Sequence, residues 1–291
     1  MAVMTGGASG TMANWTPEVW SKLATITYRS NVVLPDKMDR RWEPELGVGR
    51  GDTVNIPAFS QNATSIARTT FGTAAALTFD GVTESQVQLV VNKLRYKAYG
   101  IPVEAAIQAM PSYVALLTEG IGTAIAVDVD GDLAGDDTNG LDAFTAIGAD
   151  NVDVTDDDVL SGETNLNSVN APMSGRFFVV SPQTRASLLK IDSYRNQLYS
   201  SIGKLDASAG PGYLGPLYSL QAFMSNNLEA GSAGKKNAIW HQEAIAFAAQ
   251  KELTINKDLN VEDGLINQYV GWMVYGYKMV KSTFGREVDG K

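Results

Sequence analysis

The chain has 291 residues, of which 44% are hydrophobic, a net charge of −9, no cysteine and one histidine. That hydrophobic share supports a sizeable core and excludes wholesale disorder, and the lack of cysteine excludes disulfides and thiolate metal sites. The acidic balance argues against a surface that grips phosphate, though not against one meant to stay clear of it.

No apolar run approaches the ~20 residues of a membrane helix. The first residues, MAVMTGGASGTMANW, lack the basic start and apolar centre of a secretion signal. Residues 1–13 are small and polar and are expected to be mobile. Residues 14–46 hold Trp15, Trp20 and Trp42, and a short helix is predicted from Pro17 to about Tyr28, with Thr16 as its cap. Such an arm either anchors an interface, as large aromatics often do, or packs back on its own domain.

Residues 47–60 read as a turn followed by a strand, with Val54 and Ile56 alternating with polar neighbours. A second strand is predicted over 86–96. The Thr- and Ala-rich stretch between them is long for a connection inside a compact domain. The flanking strands should pair as a protruding hairpin, and an isolated hairpin is marginal in water, so it is expected to lean on another chain. Arg50-Gly51-Asp52 reads as a turn entering a strand rather than an adhesion motif. Asn14-Trp15-Thr16 and Asn62-Ala63-Thr64 are discounted as glycosylation sites because no signal peptide precedes them.

A long helix is predicted within residues 103–134, with its main body at about 111–132 and Pro111 suited to the first turn. Tyr113, Leu116, Leu117, Ile121, Ala124 and Ile125 recur at steps of three and four, which lays them on one broad face. Asp128, Asp130 and Asp132 around Gly131 read as its polar stop. Gly120 and Gly122 each cost roughly 1 kcal/mol against Ala inside a helix; they mark either close packing or a bend. The aspartates do not make a calcium loop, because that pattern needs Gly sixth and Glu twelfth, whereas here Gly131 is fourth from Asp128 and Asn139 twelfth.

A helix over 155–169 should begin on a Thr155/Asp158 capping box, with three aspartates at its positive end. RFFVV, 176–180, reads as a buried strand. Ser181 and Pro182 open another helix, to about Ile191. Residues 192–218 read as a loop anchored by Tyr194, Tyr199, Tyr213 and Tyr218. Residues 217–228 read as a strand, and 238–252 as strand or helix without a deciding periodicity. The stretch beginning LINQYVGW reads as strands with Gly271 and Gly276 as bulge candidates.

No catalytic constellation emerges. His241 lies between Trp240 and Gln242 with no nucleophile motif nearby. The chain carries no G-x-S-x-G elbow, no dinucleotide or P-loop glycine motif, and no basic run interleaved with aromatics. Its carboxylates gather in loops and caps. No enzyme activity, metal or cofactor is expected.

GDTVNIPAF with QVQLVVNKLRYKAYGIPVEAAIQAM, then PSYVALLTEGIGTAIAVDVDGDLAG, then VLSGETNLNSVNAPMSGRFFVVSPQTRASLLK, and finally LYSLQAFMSNNL, AIWHQEAIAFAAQ and YGYKMVKSTFG follow one another in an order that resembles the HK97-fold major capsid proteins of tailed double-stranded DNA bacteriophages. The resemblance covers nearly everything after about residue 14. It implies an α+β fold with an N-terminal arm (1–50), an extended hairpin loop (51–86), a peripheral domain with a spine helix (87–139), an axial domain (140–238) and closing strands (239–291). It further implies pentamers and hexamers tiling an icosahedral head around packaged double-stranded DNA, assembly in the host cytoplasm, a portal protein, either a separate scaffolding protein or prior cleavage of a scaffold region, and a decoration protein, with no sequence-specific DNA contact and no membrane. The expected contacts between copies are Trp15, Trp20, Arg40, Arg41 and Trp42 of the arm, Arg68, Phe71 and Phe79 of the hairpin, and Tyr194, Arg195 and Tyr199. Gly120 and Gly122 are the expected bend of the spine helix. Some members cross-link through a hairpin lysine; here no lysine lies between Lys37 and Lys93, so noncovalent contacts between copies are expected. The alternatives are an encapsulin-like compartment shell, another phage part such as a tail tube or decoration subunit, or, as the enzyme alternative, a hydrolase using acidic residues.

Overall fold

Helix α1 (Tyr113–Gly135) runs 23 residues through the middle of the molecule. The computed structural model describes residues 32–46, 51–60, 83–104, 113–191, 212–231, 234–261 and 264–291. Val114, Ile121, Ile125, Val129 and Leu133 of α1 are buried along one ladder of helix spacing. Thr118 fills the gap in that ladder and donates its hydroxyl to the Val114 carbonyl at 2.8 Å. Each large side chain buried in this way contributes about 1.5–3 kcal/mol before entropy is counted. The helix does not stop at the three aspartates. Asp130 and Asp132 turn inward to polar partners, and α1 continues to Gly135. Asp136 then ends it, its carboxylate accepting the N–H groups of Thr138 and Asn139 at 2.9 and 3.0 Å.

Against α1 lies a three-stranded antiparallel sheet, ordered β3 (Lys93–Pro102), β10 (Ile266–Met279), β9 (Ile245–Asn260). Tyr269, Met273, Tyr275 and Tyr277 of β10 and Leu253 and Ile255 of β9 share the main core with the helix. Gly271 and Gly276 are not bulges; the register shifts instead lie between Trp272 and Tyr275. Both glycines are points of close approach. A Cβ on Gly271 would stand 2.3 Å from Ile121 Cγ2, and one on Gly276 would stand 2.2 Å from the Val90 carbonyl oxygen.

The strand predicted over 86–96 is two strands. β2 (Thr83–Val90) pairs antiparallel with β1 (Thr53–Ser60), and the chain breaks at Val91–Asn92 before β3. A small core of Leu46, Val54, Ile56, Leu89, Val91, Ala246 and Ala248 fastens the base of this hairpin to the larger sheet.

A six-stranded mixed sheet is ordered β4 (Ala146–Gly148), β11 (Gly285–Gly290), β8 (Lys235–His241), β5 (Arg176–Val180), β7 (Leu220–Met224), β6 (Tyr213–Leu217). β5 is buried throughout, as its sequence predicts. Phe177 and Val179 face the main core, and Phe178 and Val180 face a second core with Val159, Leu166 and Ile239. Helix α2 (Asp156–Ser168) starts on the predicted Thr155/Asp158 capping box. Helix α3 (Pro182–Leu188) starts on Ser181, whose hydroxyl accepts the Thr184 N–H at 3.0 Å, and ends earlier than the predicted Ile191. β6 lies where a loop is predicted, and β7 is shorter than the predicted 217–228. The ambiguous 238–252 stretch is the end of β8, a 3-10 turn and the start of β9. The architecture is therefore α+β, as expected.

Candidate functional site

The root of the predicted arm, residues 32–46, packs on its own chain. Val32, Val33, Leu34 and Met38 belong to the main core. The first 3-10 turn here (Pro35–Lys37) has no cap from its own neighbours. Asp130, on α1, takes that role from 96 residues away. Its carboxylate accepts Val33 N–H at 3.2 and 3.1 Å and Leu34 N–H at 3.1 Å, with the Asn227 side-chain amide at 3.4 Å. Trp240 Nε1 donates to the Lys37 carbonyl at 3.3 Å, and the Lys37 ammonium sits 4.4 Å from the centre of the Phe223 ring.

Burial raises the Asp130 carboxyl to about 7, outweighing the donors that lower it; Asp36 adds a smaller upward push. A carboxyl raised in this way favours the fold when protonated. Its contribution is complete below about pH 4 and is lost as pH climbs through about 7. Asp130→Asn is therefore expected to flatten that part of the pH–stability curve. Urea unfolding at about pH 5 and about pH 8 checks it; an unchanged difference between the two would show that Asp130 does not titrate there.

Arg40, Arg41 and Trp42 are engaged within their own chain. Arg40 grips Glu43 through two contacts of 2.8 Å, and Arg41 grips Asp39 at 2.7 Å and Glu243 at 3.4 Å. Trp42 packs on the core beneath the hairpin. Arg40 and Arg41 line a cleft of about 660 Å³ whose other wall carries His241 and Glu243. His241 Nδ1 accepts the Glu243 N–H at 3.2 Å, so Nε2 carries the proton and donates to the Ser174 carbonyl at 3.0 Å. Burial lowers its pKa. Both ring nitrogens of His241 are thus occupied by backbone hydrogen bonds. The acidic side chains of the cleft are paired with arginine or lysine, Lys281 reaching Glu243 at 2.8 Å. Among the described residues, no group of three metal-ligating side chains is placed to hold an ion.

Two further surfaces stand out. Leu94 and Tyr96 are exposed on β3 and pair across the sheet with Val274 and Trp272. They form an apolar strip on the sheet face away from α1, a feature that the sequence reading did not single out. α1 itself runs unbroken past Gly120 and Gly122. The space a Cβ would fill at Gly120 lies 3.6 Å from the Tyr99 hydroxyl, so the helix sits close to the sheet there. Trp15, Trp20, Arg68, Phe71, Phe79, Tyr194, Arg195 and Tyr199 lie outside the described residues.

No protein-family model matches the sequence, and no curated protein matches it. Solved structures do match the fold. One from Mycobacterium phage Che8 superposes with a TM-score of 0.68 at 21% identity, covering 99% of this chain and 97% of that one. The capsid of Ralstonia phage GP4 superposes with a TM-score of 0.64 at 11% identity, covering 100% of this chain and 98% of that one. The chain has the fold of the phage capsid proteins. A virus-like particle from Pyrococcus furiosus also superposes, with a TM-score of 0.59 at 9% identity and coverage of 94% of this chain and 98% of that one. In this chain the capsid fold is joined by one main core, to which α1, both larger sheets and the arm root contribute. No described helix is long and apolar enough to cross a membrane.

Proposed function

We propose that this chain is the major capsid protein of a tailed double-stranded DNA phage. In this reading, copies assemble as pentamers and hexamers into an icosahedral head of the HK97 type. The observation that carries the proposal is the match to capsid chains along almost their whole length, including the GP4 capsid chain at 98%. The absence of a catalytic arrangement among the described residues is compatible with a structural role. Residues 51–86 and the arm, with Trp15, Trp20, Arg68, Phe71 and Phe79, supply noncovalent contacts between copies; Tyr194, Arg195 and Tyr199 lie at further contacts. α1 bends at Gly120 and Gly122 when the shell changes size. A portal, a separate scaffold and a decoration protein are the proposed partners, and the head is assembled in the host cytoplasm. The net charge of −9 suits a container, since an acidic wall repels phosphate within about 8 Å at physiological salt.

Negative-stain microscopy of the purified protein tests this reading. Closed shells, or isolated pentamers and hexamers, are expected, with the neighbouring phage genes co-expressed where the chain alone does not assemble. A protein that stays monomeric under both conditions overturns it. Deleting residues 61–82 is expected to abolish closed shells while leaving the folded subunit intact, checked by sedimentation beside circular dichroism. The match to the Pyrococcus particle favours a second reading, an encapsulin-like compartment. Nuclease-protected DNA inside purified native particles supports the phage head, and co-purifying enzyme cargo supports the compartment.

A further inference from the structure

The buried ladder of α1 has an uncovered counterpart. Leu116, Thr123 and Val127 each lie two residues beyond a member of that ladder, Val114, Ile121 and Ile125, and two residues turn a helix by about 200°. This second stripe therefore faces away from the ladder. Leu116 is 63% exposed on it and Val127 is 43% exposed. One turn past Val127 the same stripe reaches Asp130, and there it is covered. Asp130 is 0% exposed, and its carboxylate accepts the Val33 and Leu34 N–H groups of the arm root. A lone apolar side chain on a surface needs no account. Two on one stripe, whose far end is already roofed by the arm, do.

The chain that precedes the described residues ends at this point. Val32 is the first described residue, and it adjoins the two N–H groups that Asp130 holds. Upstream of it the sequence predicts a helix over 17–28. On that helix Val19, Leu23 and Ile26 recur at steps of four and three with Trp20 beside them, which makes one apolar face. Glu18, Ser21, Lys22 and Thr25 fall on the other side. At 1.5 Å per residue, 17–28 spans about 18 Å and Leu116 to Val127 about 17 Å. Residues 29–31 add at most about 11 Å, too little to carry the near end of the helix far from α1.

We propose that, in the free subunit, the helix of residues 17–28 docks on the Leu116–Thr123–Val127 stripe of its own chain's α1. The link to Val32 sets the last turn of the helix beside Val127 and sends its first turn toward Leu116, so the two helices run parallel. Val19, Leu23 and Ile26, with Trp20 at their flank, then meet Leu116, Thr123 and Val127. Both helices lose exposed apolar surface, which drives the contact. Asp130 fixes where the arm enters, and the short link gives the docked helix a high effective concentration over the arm of any other copy. The inference concerns the subunit before assembly and does not rest on the shell reading. In a shell, the arm reaches other copies only by leaving this face.

The chain has no cysteine, so introduced pairs are its only thiols. Ile26→Cys with Val127→Cys is the test pair. Ile26→Cys with Leu160→Cys is the control, since Leu160 is exposed on α2, which packs on the second core across the six-stranded sheet. The full-length chain is made by cell-free synthesis at nanomolar concentration, where copies rarely meet, and is treated with oxidised glutathione. Limited proteolysis checks that each variant is folded. Non-reducing gels are expected to show an intrachain bond in the test pair, formed roughly tenfold or more faster than in the control. Adding Leu116→Asp to the test pair is expected to slow it. No bond in the test pair, a bond as fast in the control, a bond found only between chains, or a rate indifferent to Leu116→Asp overturns the proposal.

Discussion

Trp240→Ala is expected to lower stability by about 3–5 kcal/mol, the range for removing a large aromatic from a packed core. Trp240 is 1% exposed, its ring lies 6.0 Å from Phe177, and its Nε1 holds the Lys37 carbonyl. The residue therefore serves three contacts at once: the six-stranded sheet, the main core and the arm root. The predicted loss combines an unfilled cavity with a carbonyl left without its donor. Trp240→Phe keeps much of the volume and loses the hydrogen bond, so it should cost only about 1–2 kcal/mol. Urea unfolding of the two variants separates packing from hydrogen bonding. If both cost the same, the cavity account is wrong.

Arg176→Ala is expected to cost about 3 kcal/mol or more, because it strands several buried acceptors at once. The Arg176 guanidinium is 1% exposed and donates to the Ala171 and Pro172 carbonyls at 2.7 and 2.9 Å. It also reaches Asn167 Oδ1 at 2.8 Å and Ser219 Oγ at 3.2 Å. These four acceptors come from the end of α2, the turn after it and the turn before β7. Arg176→Met preserves the apolar stem while removing every donor. A methionine variant as stable as the wild type would show that the stem, not the hydrogen-bond fork, holds this corner together. Thermal unfolding of both variants decides between the two.

What could be read from the sequence was local. The capping box of α2, the Ser181–Pro182 start of α3 and the five-residue run of β5 each depend on neighbours within a few positions, and each is found where predicted. What could not be read depends on partners far along the chain. Asp130 and Asp132 look like a polar helix end until Leu34 and Tyr275 are seen to meet them. Gly271 and Gly276 look like strand irregularities because Ile121 and Val90 approach them from elsewhere. β9 gives no periodic signal at its start because Ile245 to Ala249 are all buried. β6 was hidden by Gly215, whose φ of 127° lies where the ladder with β7 shifts register, and by Pro216 beside it. The surfaces expected between copies were chosen from aromatic content and resemblance. The Leu94–Tyr96 strip escaped that reading because alternation within β3 predicts a half-buried strand, not which half lacks a cover.

The order of the six-stranded sheet also fixes when a subunit can be finished. β4, formed by residues 146–148, pairs with β11, formed by residues 285–290, and with no other strand of that sheet. During synthesis β4 emerges and waits, through nearly half the chain, for a partner that has not yet been made. Until residues 285–290 arrive, one edge of β8 and all of β4 present unsatisfied backbone groups. Synthesis order thus acts as a clock: the six-stranded sheet cannot be completed before the last strand of the chain is made.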